Sequence, residues 1–199
     1  MKTLLLMRHG KSSWKDKSLK DKQRPLKKRG LEDAKQIASI LLENELVPQL
    51  ILCSTAVRAQ QSAEKVAELC GIKGSITYLE EYYMAEPEVY LNGLKPLDDS
   101  LERVMVVGHN PGLEALMQIL DGKIDALPTG SMAYLVLSLD KWEHISIDTA
   151  GELIGFWHPN KEEERKEEVE MAKDKDKKVK KEKKDKKVKK VKKEKKDKK

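Results

Sequence analysis

The chain of 199 residues carries 40 Lys and Arg against 34 Asp and Glu, and this net charge of +6 is unevenly spread. Residues 161–199 hold 21 basic and 12 acidic side chains, a net of +9, which leaves −3 for residues 1–160. The body is therefore mildly acidic, which excludes reading it as a basic nucleic-acid-binding domain.

Thr3 to Met7 is a short, continuously apolar run that reads as a strand covered on both faces. It is too short for the hydrophobic region of a signal peptide, and Arg8 and His9 interrupt it. Polar residues follow, with a turn at Arg24-Pro25-Leu26. Beyond Gly30, Leu31, Ala34, Ile37, Ala38, Leu41 and Leu42 recur at helical spacing. Gln49 to Cys53 is the second predicted strand, and Ser54 or Thr55 is placed to cap the next helix, which Gly71 ends as a C′ glycine.

A third strand is expected over Ser75 to Leu79, then an irregular or helical stretch through Leu101, then a β-branched strand from Arg103 to Val107. In the following Gly108-His109-Asn110-Pro111, Asn110 suits an N-cap and Pro111 the first helical position, with the helix running to about Leu120. Met132 to Leu139 and Glu143 to Thr149 read as two further strands, with Phe156 and Trp157 closing the core. Strands alternating with helices predict an α/β fold, a three-layer α/β/α sandwich with a mostly parallel sheet, over residues 1–160.

Cys53 and Cys70 lie in apolar runs and read as free structural thiols. No stretch approaches the roughly 18 apolar residues of a membrane span, so a cytoplasmic location is expected. No metal-ligand spacing is present, and neither metal nor cofactor is expected.

Ligands in such sheets bind beyond the carboxyl ends of the strands. Arg8 and His9 follow the first strand, Arg58 opens the helix after the second, and His109 follows the fourth. Two guanidiniums and two imidazoles at one edge suit a phosphoryl group. A neutral imidazole can attack phosphorus, and the two arginines favour the neutral form of His9. Arg-His-Gly or Gly-His-Asn-Pro alone would be weak signals. Their convergence with Arg58 carries the reading. His144 and His158 keep a packed or solvated role.

At these residues the chain resembles the histidine phosphatase superfamily, with its phosphoglycerate-mutase-like fold. Met7 to Trp14, Asp21 to Gly30, Ser54 to Ala59 and Val107 to Gly112 look like the SixA branch, which contains phosphohistidine phosphatases. Ser62 stands where a threonine is common. The resemblance implies His9 as phosphate acceptor, completed by Arg8, Arg58 and His109. Lys11 and Arg24, on the loop after the first strand, could contact substrate or phosphate, as could Asn110. Many relatives add a carboxylic acid after the third strand. Glu81 is nearest to that place, with Glu80 and Glu86 close by, and a surface glutamate without a role is the alternative.

The implied substrate is a protein-borne phosphohistidine, for example on a histidine-phosphotransfer domain. A small phosphoester, such as a sugar phosphate or nucleotide, is the alternative. Imidazole is the better leaving group, and no long insertion is present to wall in a small substrate. The stretch 161–199 is a Lys-rich low-complexity tail that repeats Lys-Lys-Val-Lys-Lys-Glu-Lys-Lys-Asp-Lys-Lys at 177–187 and 189–199. It reads as disordered and solubilising, with a tether to anionic partners such as nucleic acid, ribosomes or membrane surfaces as the competing, non-catalytic role.

Overall fold

The structure, a computed structural model, describes residues 1–123 and 126–158, so the expectations for the tail at 161–199 lie outside the described residues. Ten main elements follow in chain order: β1 (Lys2–Arg8), α1 (Lys28–Glu43), β2 (Leu50–Ser54), α2 (Val57–Cys70), β3 (Ile76–Leu79), α3 (Pro87–Leu94), β4 (Arg103–Gly108), α4 (Gly112–Asp121), β5 (Met132–Leu137) and β6 (Gly151–Trp157). Single 3-10 turns occupy Asp21–Gln23, Glu80–Tyr82 and Trp142–His144.

The strands form one sheet in the order β3-β2-β4-β1-β5-β6. The first four are mutually parallel, β5 runs antiparallel to β1, and β6 runs antiparallel to β5. Alternation along β1 divides the interior in two. Leu4 and Leu6 join one apolar cluster with Tyr82, Tyr90, Leu113 and Leu116 from the α3 and α4 side. Leu5 and Met7 join another with Ala34, Ile37, Ala63 and Val66 from α1 and α2. All four β1 side chains are fully buried, each stabilising the fold by roughly 1.5–3 kcal/mol. The sheet is thus covered on both faces.

Three local expectations are corrected. Glu143 to Thr149 forms no strand, and the last strand is Gly151–Trp157. The reason is Trp142, whose buried indole donates to the Leu101 carbonyl at 2.7 Å while its backbone N–H donates to Asp99 at 3.0 Å. These bonds draw the segment away from the sheet edge, leaving β5 to pair with β6. Ser54 and Thr55 do not cap α2, whose N-cap is Ala56. Helix α4 begins at Gly112 with Pro111 in the cap position, and Asn110 does not cap it: its side-chain amide is turned to donate to the Leu127 carbonyl at 3.0 Å, and its Oδ1 accepts from no backbone N–H. Gly71 does end α2, in the left-handed conformation at φ 70°.

Candidate active site

Parallel strands β1, β2 and β4 all end at the same edge, and a cavity of about 610 Å³ opens there. Arg8 closes β1, and His9 is fixed just beyond it by its backbone N–H donating to the Gly108 carbonyl at 3.3 Å. The chain then crosses the start of α1 at Gly10 and Gly30. A Cβ on Gly10 would lie 2.5 Å from the Gly30 carbonyl oxygen, so a larger residue would push the nucleophile loop off the helix. This close approach is the physical requirement behind the glycine of Arg8-His9-Gly10.

His9, Arg58 and His109 are 8%, 4% and 2% exposed. The His9 Nδ1 pairs with the Gly10 carbonyl oxygen at 2.8 Å, so Nδ1 carries the proton. Arg58 Nε donates to His9 Nε2 at 3.1 Å, placing a lone pair on that nitrogen, the atom that faces the guanidinium. His109 has the opposite tautomer. Arg58 Nη2 donates to its Nδ1 at 3.4 Å, so its Nε2–H donates to Ser54 Oγ at 2.8 Å. The two imidazole centroids are 5.0 Å apart.

Burial, with the nearby Arg58, Arg8 and Arg24 charges, lowers the pKa of His9 to about 4, against the opposing hydrogen bond that its ring donates to the Gly10 carbonyl. Burial also lowers His109 to about 3, helped by His9 and Arg58. Both rings are neutral near pH 7. A neutral Nε2 lone pair surrounded by guanidiniums is a nucleophile for phosphorus.

Asp21 organises the outer wall. It accepts from Arg24 at 2.6 Å, from Arg58 at 3.0 Å and from the Tyr83 hydroxyl at 2.8 Å, and its backbone carbonyl accepts from Arg58 at 2.7 Å. Burial raises its pKa, but these hydrogen bonds and the Arg58 charge outweigh that and hold it at about 2. Arg8 Nη1 donates to the Leu127 carbonyl at 2.9 Å, and Glu114 accepts from the Leu127 N–H at 2.8 Å. Ser62 Oγ accepts from the Gly10 N–H at 3.1 Å and donates to the Arg58 carbonyl at 2.8 Å, tying the nucleophile loop to α2.

Arg8, His9, Arg58 and His109 are brought together as the spacing predicted, and Lys11, Arg24 and Asn110 also line the cavity. Arg24 is 6% exposed and spends its donors on Ser13, Asp21 and Ser12, which shapes the loop. Glu81 is exposed and outside the lining residues, as are Glu80 and Glu86. Glu80 is held by Lys22 and Thr55. Among the described residues, the carboxylate in the cavity wall is Asp21. Its role went unread in the sequence, as did those of Tyr83 and Ser54. Tyr83 gives no sequence signal, since its partner is 62 residues away.

The arrangement sets a neutral imidazole among guanidiniums, a combination that can bind a phosphoryl group and attack it. The model of the histidine phosphatase superfamily (branch 1) matches residues 4–81. A chloroplastic protein of Arabidopsis thaliana, uncharacterized, is 32% identical over 149 residues, 70% of this chain and 68% of its own length. An uncharacterized protein of Mycobacterium leprae is 30% identical over 166 residues, 77% of this chain and 99% of its own. Among solved structures, one assigned as the phosphohistidine phosphatase SixA of Agrobacterium tumefaciens superposes with a TM-score of 0.67 at 29% identity, covering 79% of this chain and 98% of that one. A protein histidine phosphatase SixA complexed with tungstate gives 0.68 at 22% identity, over 79% and 97% of the chains. This protein belongs to the histidine phosphatase superfamily.

Proposed function

We propose that the protein is a SixA-type phosphohistidine phosphatase, acting on protein-borne phosphohistidine in the cytoplasm. The observation that carries the reading is the state of Asp21. The carboxylate in the cavity wall is held at about pKa 2 by Tyr83, Arg24 and Arg58, so it has no proton to give near pH 7. An alkoxide leaving group needs such a proton, whereas an imidazole departs with far less help. The likeness to the Agrobacterium tumefaciens structure supports the same substrate class.

In the first step Nε2 of His9 attacks phosphorus, the bond from phosphorus to the substrate imidazole breaks, and that imidazole takes a proton from water. Arg8 and Arg58 offset the charge on the equatorial oxygens. The incoming dianion raises the pKa of His109, which then donates to the same oxygens. Water next attacks phosphorus as the bond to Nε2 breaks, and its released proton neutralises the hydroxide left by the first step, so hydrogen phosphate departs and His9 regains its neutral ring.

Rapid quench with labelled phosphohistidine protein tests this. The expected result is an acid-labile label on His9 that His9→Ala abolishes together with turnover. Absence of that label, or faster turnover of a sugar-phosphate and nucleotide panel, would overturn the reading in favour of another chemistry or a small-molecule substrate.

A further inference from the structure

Charge on the body is concentrated in one segment. Residues 11–29 carry nine Lys and Arg against two Asp, while residues 1–10 and 30–160 carry ten against twenty Asp and Glu. That segment borders the mouth of the cavity, supplying Lys11, Trp14, Asp21, Arg24 and Lys27 to its wall. Lys15, Lys17 and Lys20 are exposed, lie outside the lining residues and make no ion pair among the described residues. These cations stand outside the wall of the cavity that holds Arg8 and Arg58. They are placed to meet a partner that extends beyond the cavity.

Two apolar side chains stand among these charges. Trp14 is 69% exposed and stacks on the Arg24 guanidinium, 3.2 Å from ring centroid to guanidinium carbon. Met84, 51% exposed, projects from a residue at φ 53°, a left-handed conformation that side chains other than glycine rarely adopt. Both line the mouth. An exposed aromatic and a flexible thioether that share the cavity wall with Lys11, Arg24 and Lys27 match the make-up of a protein-binding surface, which combines apolar anchors with charge.

We propose that residues 11–28, with Trp14 and Met84, form a docking surface for an acidic protein face around the phosphorylated histidine. The proposal rests on the phosphohistidine reading above and adds how the substrate protein is selected. An extended nucleic acid fits less well, because beyond this one segment it would meet a body with twice as many acidic as basic side chains. A compact acidic face needs only the segment itself.

The test uses the full chain and three substrates phosphorylated on histidine with phosphoramidate: a peptide flanked by Glu, the same peptide flanked by Ser, and free phosphohistidine. The native protein should prefer the Glu peptide over the Ser peptide by about tenfold in kcat/KM at low salt, and about 0.5 M salt should erase the preference. The exposed triple variant Lys15→Glu, Lys17→Glu, Lys20→Glu should lose that preference with free phosphohistidine turned over as before. Equal use of both peptides by the native protein, or an equal loss on free phosphohistidine in the variant, would overturn the docking surface. So would displacement of a labelled Glu peptide by single-stranded DNA at lower concentration than by unlabelled peptide. Should none of the three substrates turn over while a phosphoester does, the proposed function fails. Fluorescence polarisation of the labelled Glu peptide on the native and triple-variant chains then decides the docking surface by itself.

Discussion

The floor and the rim of the cavity are built on opposite terms. On the floor, His9, Arg58 and His109 are nearly inaccessible, rise from strand ends or the first turn of a helix, and are held by side-chain and backbone partners. On the rim, Trp14 and Met84 are exposed, and the lysines between 11 and 20 have no ionic partner among the described residues. In the proposed function the floor receives one small dianion. The rim is arranged for contact with something outside. Chemistry and selection should therefore separate by mutation, with floor changes striking every substrate alike.

The largest expected effect is at the nucleophile: His9→Ala should lower kcat by at least about 10³-fold on any phosphorylated substrate. Arg58→Lys keeps a charge but loses the fork that reaches His9, His109 and Asp21 together, and should lower kcat about 10²-fold. Residual activity close to native in either variant would break the division between floor and rim. Glu114→Gln should cost less, about three- to tenfold in kcat/KM, because Glu114 acts on Arg8 through the Leu127 peptide without touching the substrate itself. An effect on kcat/KM that differs between free phosphohistidine and a phosphoprotein would move Glu114 from the floor to the rim.

Two pH effects follow from the same burial. In the free enzyme, kcat/KM should fall as pH drops through about 4, where His9 gains the proton that occupies its lone pair. Stability carries a second signature. An unfolded chain protonates its histidines near pH 6.5, whereas folded His9 and His109 resist until about 4 and 3, so the unfolded state binds more protons across that window. Stability is complete above that unfolded pKa and declines as pH falls, and Tm should be lower at about pH 5 than at about pH 7 by several degrees. Replacing both buried histidines with Gln should flatten this slope. A slope unchanged by the double substitution would place its origin elsewhere.

Much of the floor was legible because each part lies next to a strand whose apolar run is plain: Thr3 to Met7 before Arg8-His9, and Arg103 to Val107 before His109. The sheet then does the geometry, since parallel neighbours end at one edge. The wall was not legible, because Asp21 meets Arg58 and Tyr83 only after two turns, at Asp21–Gln23 and Glu80–Tyr82, fold over the strand ends beside α2, and nothing in local spacing encodes that meeting. The same holds for the final strand. Glu143 to Thr149 looks apolar enough to pair, but one buried indole bond to Leu101 directs that segment away from the sheet.

The Ser62 hydroxyl, bonded at once to the Gly10 amide and the Arg58 carbonyl, makes the loop that carries His9 and the turn that carries Arg58 a single mechanical part. Neither can drift without stretching the other. Occupancy by phosphate or an oxyanion mimic should then be felt as a joint slowing of amide hydrogen exchange at Gly10 and along the first turns of α2, with Gly10 and Ser62, 52 residues apart in sequence, answering to one hydroxyl.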